Sequence, residues 1–170
     1  MRAITLWQPW ASAIFCCGKP IENRDWPPPP WIIGEPLALH AGKFYDVDGA
    51  SFGWPKEAPP IPKRGSVPQG AVIGVVRVTG ATYCPKDAMR QLDLGDVIAE
   101  VRKLSPEQRR WLVGDYGWHL VDVRPLAVPV KCRGGQKIWT LPDDVEAEVL
   151  RQLSAGAAGA AAPFALEPTR

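Results

Sequence analysis

The first 24 residues, MRAITLWQPWASAIFCCGKPIENR, contain the signals that decide the fold. Residues 1–6 predict a short strand. Five apolar residues then recur at the spacing of one helix face: Trp7, Trp10, Ala11, Ile14 and Phe15. Pro9 suits the first turn of that helix, and Gly18 is placed to end it in the left-handed conformation. Because residues 19–26 predict an extended segment, the chain begins with a strand, a helix and a second strand.

The remainder of the chain alternates short strands with turns and a few helices. Strands are predicted at residues 37–43, 70–79, 118–123, 126–132 and 137–141. Helices are predicted at residues 86–94, at about residues 106–112 and at residues 143–153. Ser105 and Gln108 have the spacing of a capping box before the second helix, and the third has an acidic first turn. These elements predict an α+β, mainly β protein, a small mixed β-barrel of five or six strands with flanking helices.

Two segments and the end of the chain lack periodicity. Pro27–Pro30 predicts an exposed polyproline stretch. Residues 44–69, rich in proline and glycine, predict a functional loop or lid. The last residues are mostly alanine and glycine. We therefore divide the chain into a barrel domain at residues 1–142, a helix at 143–153 and a low-complexity tail at 154–170.

The composition excludes several classes of protein. The chain has 170 residues, 46% of them hydrophobic, which suits one soluble domain with a core. It has no apolar run of about 18 residues, so we expect no membrane span, and its first residues lack the apolar stretch of a signal peptide. The cysteines include an adjacent pair but no C-x-x-C spacing: Cys16, Cys17, Cys84 and Cys132. We expect reduced thiols in a cytoplasmic protein, with no metal and no other cofactor.

The net charge of +2 hides an uneven distribution. Residues 1–142 contain 18 Lys and Arg against 13 Asp and Glu, a net charge of +5, whereas residues 143–170 contain 2 against 5, a net charge of −3. Four of the eight tryptophans lie beside charged or turn residues: Trp26, Trp31, Trp54 and Trp118. They are candidates for stacking on bases, with structural packing as the alternative. Together with the positive charge of residues 1–142, they lead us to expect a basic, aromatic-lined cleft. The helix stripe instead assigns Trp7 and Trp10 to the core.

Four motifs, in order along the chain, resemble one known family. Trp7-Gln-Pro-Trp10 followed by Gly18-Lys19-Pro-Ile-Glu22-Asn-Arg24 is similar to the signature of the ASCH domain family, within the PUA-like superfamily. The family's hallmark is Gly-x-Lys-x-x-Glu-x-Arg just after the first helix; here the lysine follows Gly18 directly, and the spacing matches from Lys19 onward. Residues 37–43, 116–125 and 134–139 resemble later family segments. The resemblance covers about residues 3–141.

This resemblance implies a PUA-like β-barrel whose cleft takes nucleic acid, mostly RNA or a modified nucleoside. In an extended segment Glu22 and Arg24 point to one face, and Lys19 can lean over it. Such a group can bind phosphate, hydrogen-bond a base edge or move a proton, although a structural salt bridge between Glu22 and Arg24 is the alternative. The residues assigned to the nucleic-acid site are Lys19, Glu22, Arg24, His40, Lys43, Trp26, Trp54 and Trp118. For His40 the alternative is a buried histidine bonded to the backbone, and His119 is assigned to surface or partner packing.

Three functions stay open at this stage. The first is a binder of RNA or of a modified nucleoside. The second is a hydrolase with Lys19 and Glu22 in proton-transfer roles. Some relatives are amidohydrolases that remove the acetyl group from acetylated cytidine, using the motif lysine and a threonine where this chain has Glu22, and ribonuclease activity is ascribed to others. A second catalytic carboxylate stays open among Glu100, Asp115 and Asp122. The third is an adaptor whose segment Pro27–Pro30 is the ligand of a protein partner.

Overall fold

The computed structural model describes residues 1–85 and 94–157. Within them the strands are β1 (Arg2–Gln8), β2 (Ile21–Arg24), β3 (Pro36–Tyr45), β4 (Ala71–Tyr83), β5 (Tyr116–Lys131) and β6 (Ile138–Thr140). The helices are α1 (Trp10–Cys16), α2 (Val47–Gly53), α3 (Leu94–Lys103), α4 (Pro106–Trp111) and α5 (Asp143–Ala157), with short 3-10 turns at Pro30–Ile32 and Arg64–Ser66. In this part of the chain no helix is long and apolar enough to cross a membrane.

All six of these strands belong to one curved sheet. Their order is β2-β5-β4-β3-β1-β6, with β1 and β3 parallel and the other neighbouring pairs antiparallel. The register between β4 and β5 shifts at three places, and bulges of this kind bend and twist a sheet. The sheet therefore curls into a half-barrel. This confirms the predicted α+β fold, with a mixed, partly closed barrel of six strands and flanking helices.

The central strands are buried on both faces. In β4, Ile73 and Val76 belong to the cluster that contains the apolar face of α1. Val72 and Val75 belong to a second cluster, which contains the apolar face of α5. Strands buried on both faces consist of near-continuous apolar residues, which is why residues 70–79 predict a strand so clearly.

Specific contacts fix both ends of α1. Gln8 is fully buried, its Oε1 accepts a hydrogen bond from the Ser12 N–H at 3.1 Å, and its Nε2 donates to the Pro68 carbonyl at 2.7 Å. At the other end Gly18 has a φ of +65°, which confirms the left-handed stop. The Lys19 N–H donates to the Ala13 carbonyl at 3.1 Å. The chain therefore turns sharply at Gly18 and enters β2 three residues later, at Ile21.

Trp7 is not part of the helix stripe. β1 continues to Gln8, and α1 begins only at Trp10. The Trp7 side chain is 55% exposed and its ring centroid lies 4.5 Å from that of Phe44. The prediction that Trp7 lies in the core is therefore wrong, because its orientation follows the alternation of a strand and not the period of a helix.

The segment between β3 and β4 is more ordered than its composition predicts. It contains α2 and the 3-10 turn at Arg64–Ser66. Asp46 caps α2, since its carboxylate accepts a hydrogen bond from the Gly49 N–H at 2.9 Å. The prediction of a structureless loop at residues 44–69 overlooked a helix of only seven residues, which is too short to show a clear apolar period.

Other boundaries also differ from those predicted. Residues 116–131 form one strand, β5, where the sequence predicts two strands separated at Arg124-Pro125. Pro125 is accommodated because this half of β5 pairs with β4 and has no strand on its other side within the described residues. The predicted helix at 86–94 lies outside the described residues except for Leu94, where α3 begins. In the predicted polyproline stretch, Pro29 has extended dihedrals but Pro30 already belongs to a 3-10 turn.

Packing of α5 closes one side of the molecule. α5 continues to Ala157, beyond the predicted end at residue 153, and the rest of the predicted tail lies outside the described residues. Its side chain Gln152 reaches the unpaired side of β5, where Oε1 accepts from the Val128 N–H and Nε2 donates to the Val128 carbonyl, both at 3.0 Å. These two bonds replace those of a neighbouring strand.

The contact of α1 with β4 gives a first test of the packing. A Cβ on Gly74 would lie 2.2 Å from Cε1 of Phe15 and 2.7 Å from the Arg124 carbonyl oxygen. We expect Gly74→Ala to lower the free energy of unfolding by about 1–3 kcal/mol, measured by urea denaturation, because α1 or β5 must shift. Gly65→Ala is the matched control, since nothing lies within 4 Å of that position. Equal stability of the two variants would contradict the close packing of α1 on the sheet.

Candidate functional site

A cleft of about 590 Å³ lies beside α1 and β2. Its lining includes Trp7, Trp10, Lys19, Glu22, Arg24 and Asp46. Further lining comes from the cap of α2 and from the turn that follows α4. The three charged residues of the sequence motif therefore share one concave surface.

Lys19 and Glu22 form a buried ion pair at this cleft. Nζ of Lys19 lies 2.7 Å from Oε2 of Glu22, and the two residues are only 2% and 7% exposed. The turn at Gly18 and the bond from the Lys19 N–H to Ala13 position the lysine backbone. Glu22 is held on β2, directly opposite Trp118 of β5. The stability of a pair this deeply buried depends on its geometry, because solvent does not solvate either charge if its partner moves away.

Arg24 stands beside the pair and keeps a free donor. Its Nη1 lies 3.7 Å from Oε1 of Glu22, which confirms that Glu22 and Arg24 face the same side of β2. The guanidinium carbon lies 5.5 Å from the ring centroid of Trp26, a cation–π distance. Nε of Arg24 is buried and has no hydrogen-bond partner among the described residues. A buried donor left unpaired is costly, so this N–H would gain from any acceptor that a shift of the Arg24 side chain brings within reach.

Asn23 fixes the wall on the far side of the cleft. Its Oδ1 accepts hydrogen bonds from the N–H groups of Val113 and Gly114 at 3.0 and 3.1 Å, and its Nδ2 donates to the Trp111 carbonyl at 2.8 Å. A Cβ on Gly114 would lie 2.9 Å from Cβ of Asn23, so the turn after α4 must approach β2 closely. The amide therefore ties β2 to the end of α4.

Asp46 fixes the opposite wall. Besides capping α2, it accepts a hydrogen bond from Nε1 of Trp10 at 2.9 Å, and its own N–H donates to the Gln8 carbonyl. A Cβ on Gly49 would lie 2.1 Å from Oδ2 of Asp46, so the cap requires glycine at that position. Asp46 thus joins α1 and α2 through its carboxylate, and the end of β1 through its backbone N–H.

The cleft is not basic. Its lining contains two cations, Lys19 and Arg24, against three carboxylates, Glu22, Asp25 and Asp46. The expected basic cleft is therefore wrong, although residues 1–142 carry a net positive charge. None of the proposed second carboxylates lines it: Asp115 lies outside it, Asp122 pairs with Arg77 at 3.1 Å, and Glu100 pairs with Lys103.

The tryptophans that line the cleft are not those that the sequence singled out. Trp118 is 1% exposed, its Nε1 donates to the Trp26 carbonyl, and the two rings meet edge to face at 4.7 Å. Trp54 packs against Trp10 and Trp111, with its Nε1 bonded to Pro59. Trp31 is 55% exposed but lies outside the cleft, with the Arg2 guanidinium over its ring. The packing alternative therefore holds for Trp118 and Trp54, and Trp26 contributes by supporting Arg24.

Trp7 and Trp10 line the cleft instead. Sequence reasoning missed them because it assigned both to a helix stripe directed at the core. The sequence signal that could have placed them is Pro9, which lies between the strand and the helix. Side chains before Pro9 follow the alternation of a strand, and those after it follow the period of a helix. Asp46 was missed as well, although an Asp three residues before Gly49 is a typical helix cap.

The other predicted site residues lie elsewhere. His40 is 2% exposed, its Nε2 donates to the Cys132 carbonyl at 3.2 Å, and burial lowers its pKa. His40 therefore matches the alternative prediction, a buried histidine bonded to the backbone, and not a residue that lines the cleft. Lys43 is exposed and lies over Gly70, outside the cleft lining. His119 is half-buried, bonds Thr82 at 2.9 Å, and has a pKa lowered by burial.

Within residues 1–85 and 94–157, no group of three or more His, Cys, Asp or Glu side chains is placed to hold a metal ion. The cleft chemistry rests on an ammonium, a carboxylate, a guanidinium and two indole rings.

Comparison with known proteins finds similarity at the level of structure. No family model matches the sequence, and no curated protein matches it. The crystal structure of ASCH from Zymomonas mobilis is 16% identical, with a TM-score of 0.47 over 88% of this chain and 93% of that one. Two mutants of that protein are similar over 88% of this chain, one at 16% identity and a TM-score of 0.48, the other at 15% and 0.46. They cover 94% and 96% of those chains. These neighbours carry the family name ASCH.

Two variants test the buried ion pair: one removes the charge of Glu22 alone, and the other removes both charges. We expect Glu22→Gln to lower the free energy of unfolding by about 3–5 kcal/mol, because it leaves the Lys19 ammonium buried without a counter-charge. The double variant Lys19→Met/Glu22→Gln should regain part of that loss, since it removes both charges. Urea denaturation measures each variant.

Glu100→Gln is the matched control for this experiment. It breaks an exposed ion pair with Lys103, and we expect a change of about 0–1 kcal/mol. A double variant no more stable than Glu22→Gln alone would show that the ammonium is not the source of the loss.

Proposed function

We propose that the protein binds a nucleobase in the cleft, either within RNA or as a modified nucleoside. The observation that carries the proposal is the placement of a half-exposed indole ring, Trp7, in the same cleft as the charged group of Lys19, Glu22 and Arg24. A volume of about 590 Å³ lies in the range of small-molecule pockets. A stacking ring beside a few directed polar groups is the usual way to recognise a splayed base.

The polar groups suit the edge of a base. Oε1 of Glu22 is an acceptor, and Nη1 of Arg24, 3.7 Å from it on a side chain that is 24% exposed, is a donor. A donor and an acceptor side by side complement a base edge that carries an acceptor beside a donor. Lys19, only 2% exposed in the cleft lining, does not contact the ligand in this arrangement; its ammonium holds the Glu22 carboxylate in position.

The charge of the cleft favours a base over a phosphate chain. With three carboxylates against two cations, the lining would repel closely spaced phosphates. Lys19 is buried and already paired, so it offers no phosphate contact. We therefore infer that affinity depends on stacking and edge contacts, and that it changes little with salt concentration. We also propose a cytoplasmic location, because the four cysteines are free thiols.

Replacement of the stacking ring tests this function. We expect Trp7→Ala to weaken binding of the best nucleoside, or of a single-stranded RNA oligonucleotide, by roughly 5- to 150-fold, because a stacked base contributes about 1–3 kcal/mol. Isothermal titration calorimetry across a panel of modified and unmodified nucleosides measures the effect. Phe52→Ala is the control, since Phe52 is 93% exposed yet lies outside the cleft lining.

Two results would contradict the proposed binding mode. One is affinity unchanged in both Trp7→Ala and Arg24→Ala. The other is RNA binding that falls steeply as salt rises, which would indicate contacts to several phosphates on another surface.

Hydrolysis in the same cleft is a second candidate, and one distance favours it. Nζ of Lys19 and Oε2 of Glu22 lie 2.7 Å apart at the cleft, which is a hydrogen-bond distance suited to proton transfer. Because Glu22 stands where the amidohydrolase relatives have threonine, water would be the nucleophile. The pair would accept one proton as water attacks the acyl carbon, and would return it to the amine as the C–N bond breaks.

Incubation with acetylated cytidine and with single-stranded RNA tests the hydrolase candidate. We expect acetate or cleaved RNA to appear with the wild-type chain and to be lost in Glu22→Gln, under conditions where circular dichroism shows the variant folded. Glu35→Gln, at an exposed carboxylate outside the cleft, is the control and should keep wild-type turnover. Turnover that persists in Glu22→Gln would place the chemistry at another site.

A further inference from the structure

Two cysteine side chains meet at the end of α1, next to the residues of the cleft. Sγ of Cys16 lies 3.4 Å from Sγ of Cys17, the following residue. Cys16 is half-buried, and Cys17 is 7% exposed in a cluster with Ile21 and Trp111. Neither thiol takes part in the cleft chemistry described above.

The hydrogen bond between these thiols favours the thiolate form of Cys17 and outweighs the opposing effect of burial on its pKa. The Cys16 S–H donates to the Ser12 carbonyl at 3.0 Å, and it can instead turn to Cys17. When Cys17 is a thiolate, the bond from Cys16 stabilises it and lowers the pKa of Cys17, while the same bond raises the pKa of Cys16. A thiolate with a second sulfur in contact is the arrangement of an oxidisable dithiol.

The backbone N–H groups of Cys17 and Lys19 share one hydrogen-bond acceptor. The Ala13 carbonyl accepts from the Cys17 N–H at 3.0 Å and from the Lys19 N–H at 3.1 Å. Only Gly18, with its left-handed φ, separates the two donors. A change in the backbone of Cys17 therefore acts directly on the carbonyl that positions Lys19.

We propose that Cys16 and Cys17 are a redox-sensitive pair, which a peroxide oxidises to a disulfide between adjacent residues, and that this disulfide displaces Lys19 and weakens the cleft. The second half of the proposal rests on the proposed binding function. The first half stands independently, as a modification site on the thiols.

The oxidation balances with peroxide as the two-electron oxidant. The Cys17 thiolate attacks one peroxide oxygen, the O–O bond breaks, and the released hydroxide takes up a proton to become water. The resulting Cys17 sulfenic acid is then attacked by the Cys16 sulfur. The S–O bond breaks, a second water leaves with the Cys16 proton, and the S–S bond forms.

The disulfide cannot form without local rearrangement. The two sulfurs must approach from 3.4 Å to about 2.05 Å, and Cα atoms of adjacent residues, about 3.8 Å apart, are closer than those of ordinary disulfides. The last turn of α1, which includes the Cys17 N–H bond to Ala13, must open. A disulfide under this constraint is easily reduced, so the modification is reversible.

Thiol chemistry on the full chain tests the first half. The reduced protein is treated with hydrogen peroxide, its free thiols are counted, and its peptides are examined by mass spectrometry. We expect the count to fall from four to two, with the loss of two hydrogens in the peptide that contains both residues, and dithiothreitol should restore both thiols. Cys84→Ser is the matched control and should still form this disulfide, whereas Cys16→Ser should not. A disulfide that involves Cys84 or Cys132, or unchanged thiols, would overturn the proposal.

The coupling to the cleft is tested separately. We expect amide exchange to accelerate at Cys17 and Lys19 in the oxidised chain, and nucleoside affinity to fall at least about tenfold, both reversed by dithiothreitol. Oxidised protein with unchanged exchange at Lys19 would overturn the coupling. If reduced protein binds no nucleoside, the proposed binding function fails, while the exchange experiment still decides the coupling.

Discussion

The ion pair between Lys19 and Glu22 is the constraint on which the site depends. Two charges that are almost fully buried are stable only while their separation stays near 2.7 Å. That separation requires the left-handed turn at Gly18 and the pairing of β2 with the first residues of β5. The local fold around β2 is therefore selected by electrostatics as much as by apolar packing, and a small displacement of either strand would expose an unpaired charge.

The walls of the cleft are also positioned by polar side chains that bond several partners at once. Asn23 and Asp46 each satisfy several donors from different elements, so one side chain positions the turn after α4 and another positions α2. Both make structural hydrogen bonds, which leaves Arg24, Glu22 and the exposed Asp25 as the charged groups of the lining with capacity for a ligand. The result is a cleft with directed donors and acceptors, a flat aromatic rim at Trp7, and little net charge.

The sequence predicts the strands and the charged motif better than the aromatic surroundings. Apolar runs such as residues 70–79 predict strands because both faces are buried, and alternation along β2 correctly predicts that Glu22 and Arg24 share a face. Whether a tryptophan stacks or packs depends on elements far away in the chain. Trp118 is buried by Trp26, and Trp7 is exposed because β1 continues past the predicted helix start. Neither the burial of Trp118 nor the exposure of Trp7 can be predicted from the residues next to them in the sequence.

Gln152 has a consequence for association between molecules. The backbone of β5 beyond its pairing with β2 would otherwise present free donors and acceptors beside the exposed Val128. The side-chain amide of Gln152 bonds the N–H and the carbonyl of Val128 in place of a neighbouring strand. Any event that lifts α5 from the sheet would uncover a template onto which a second copy can add a strand. One amide, on a helix that does not line the cleft, thereby covers the part of this sheet edge at Val128.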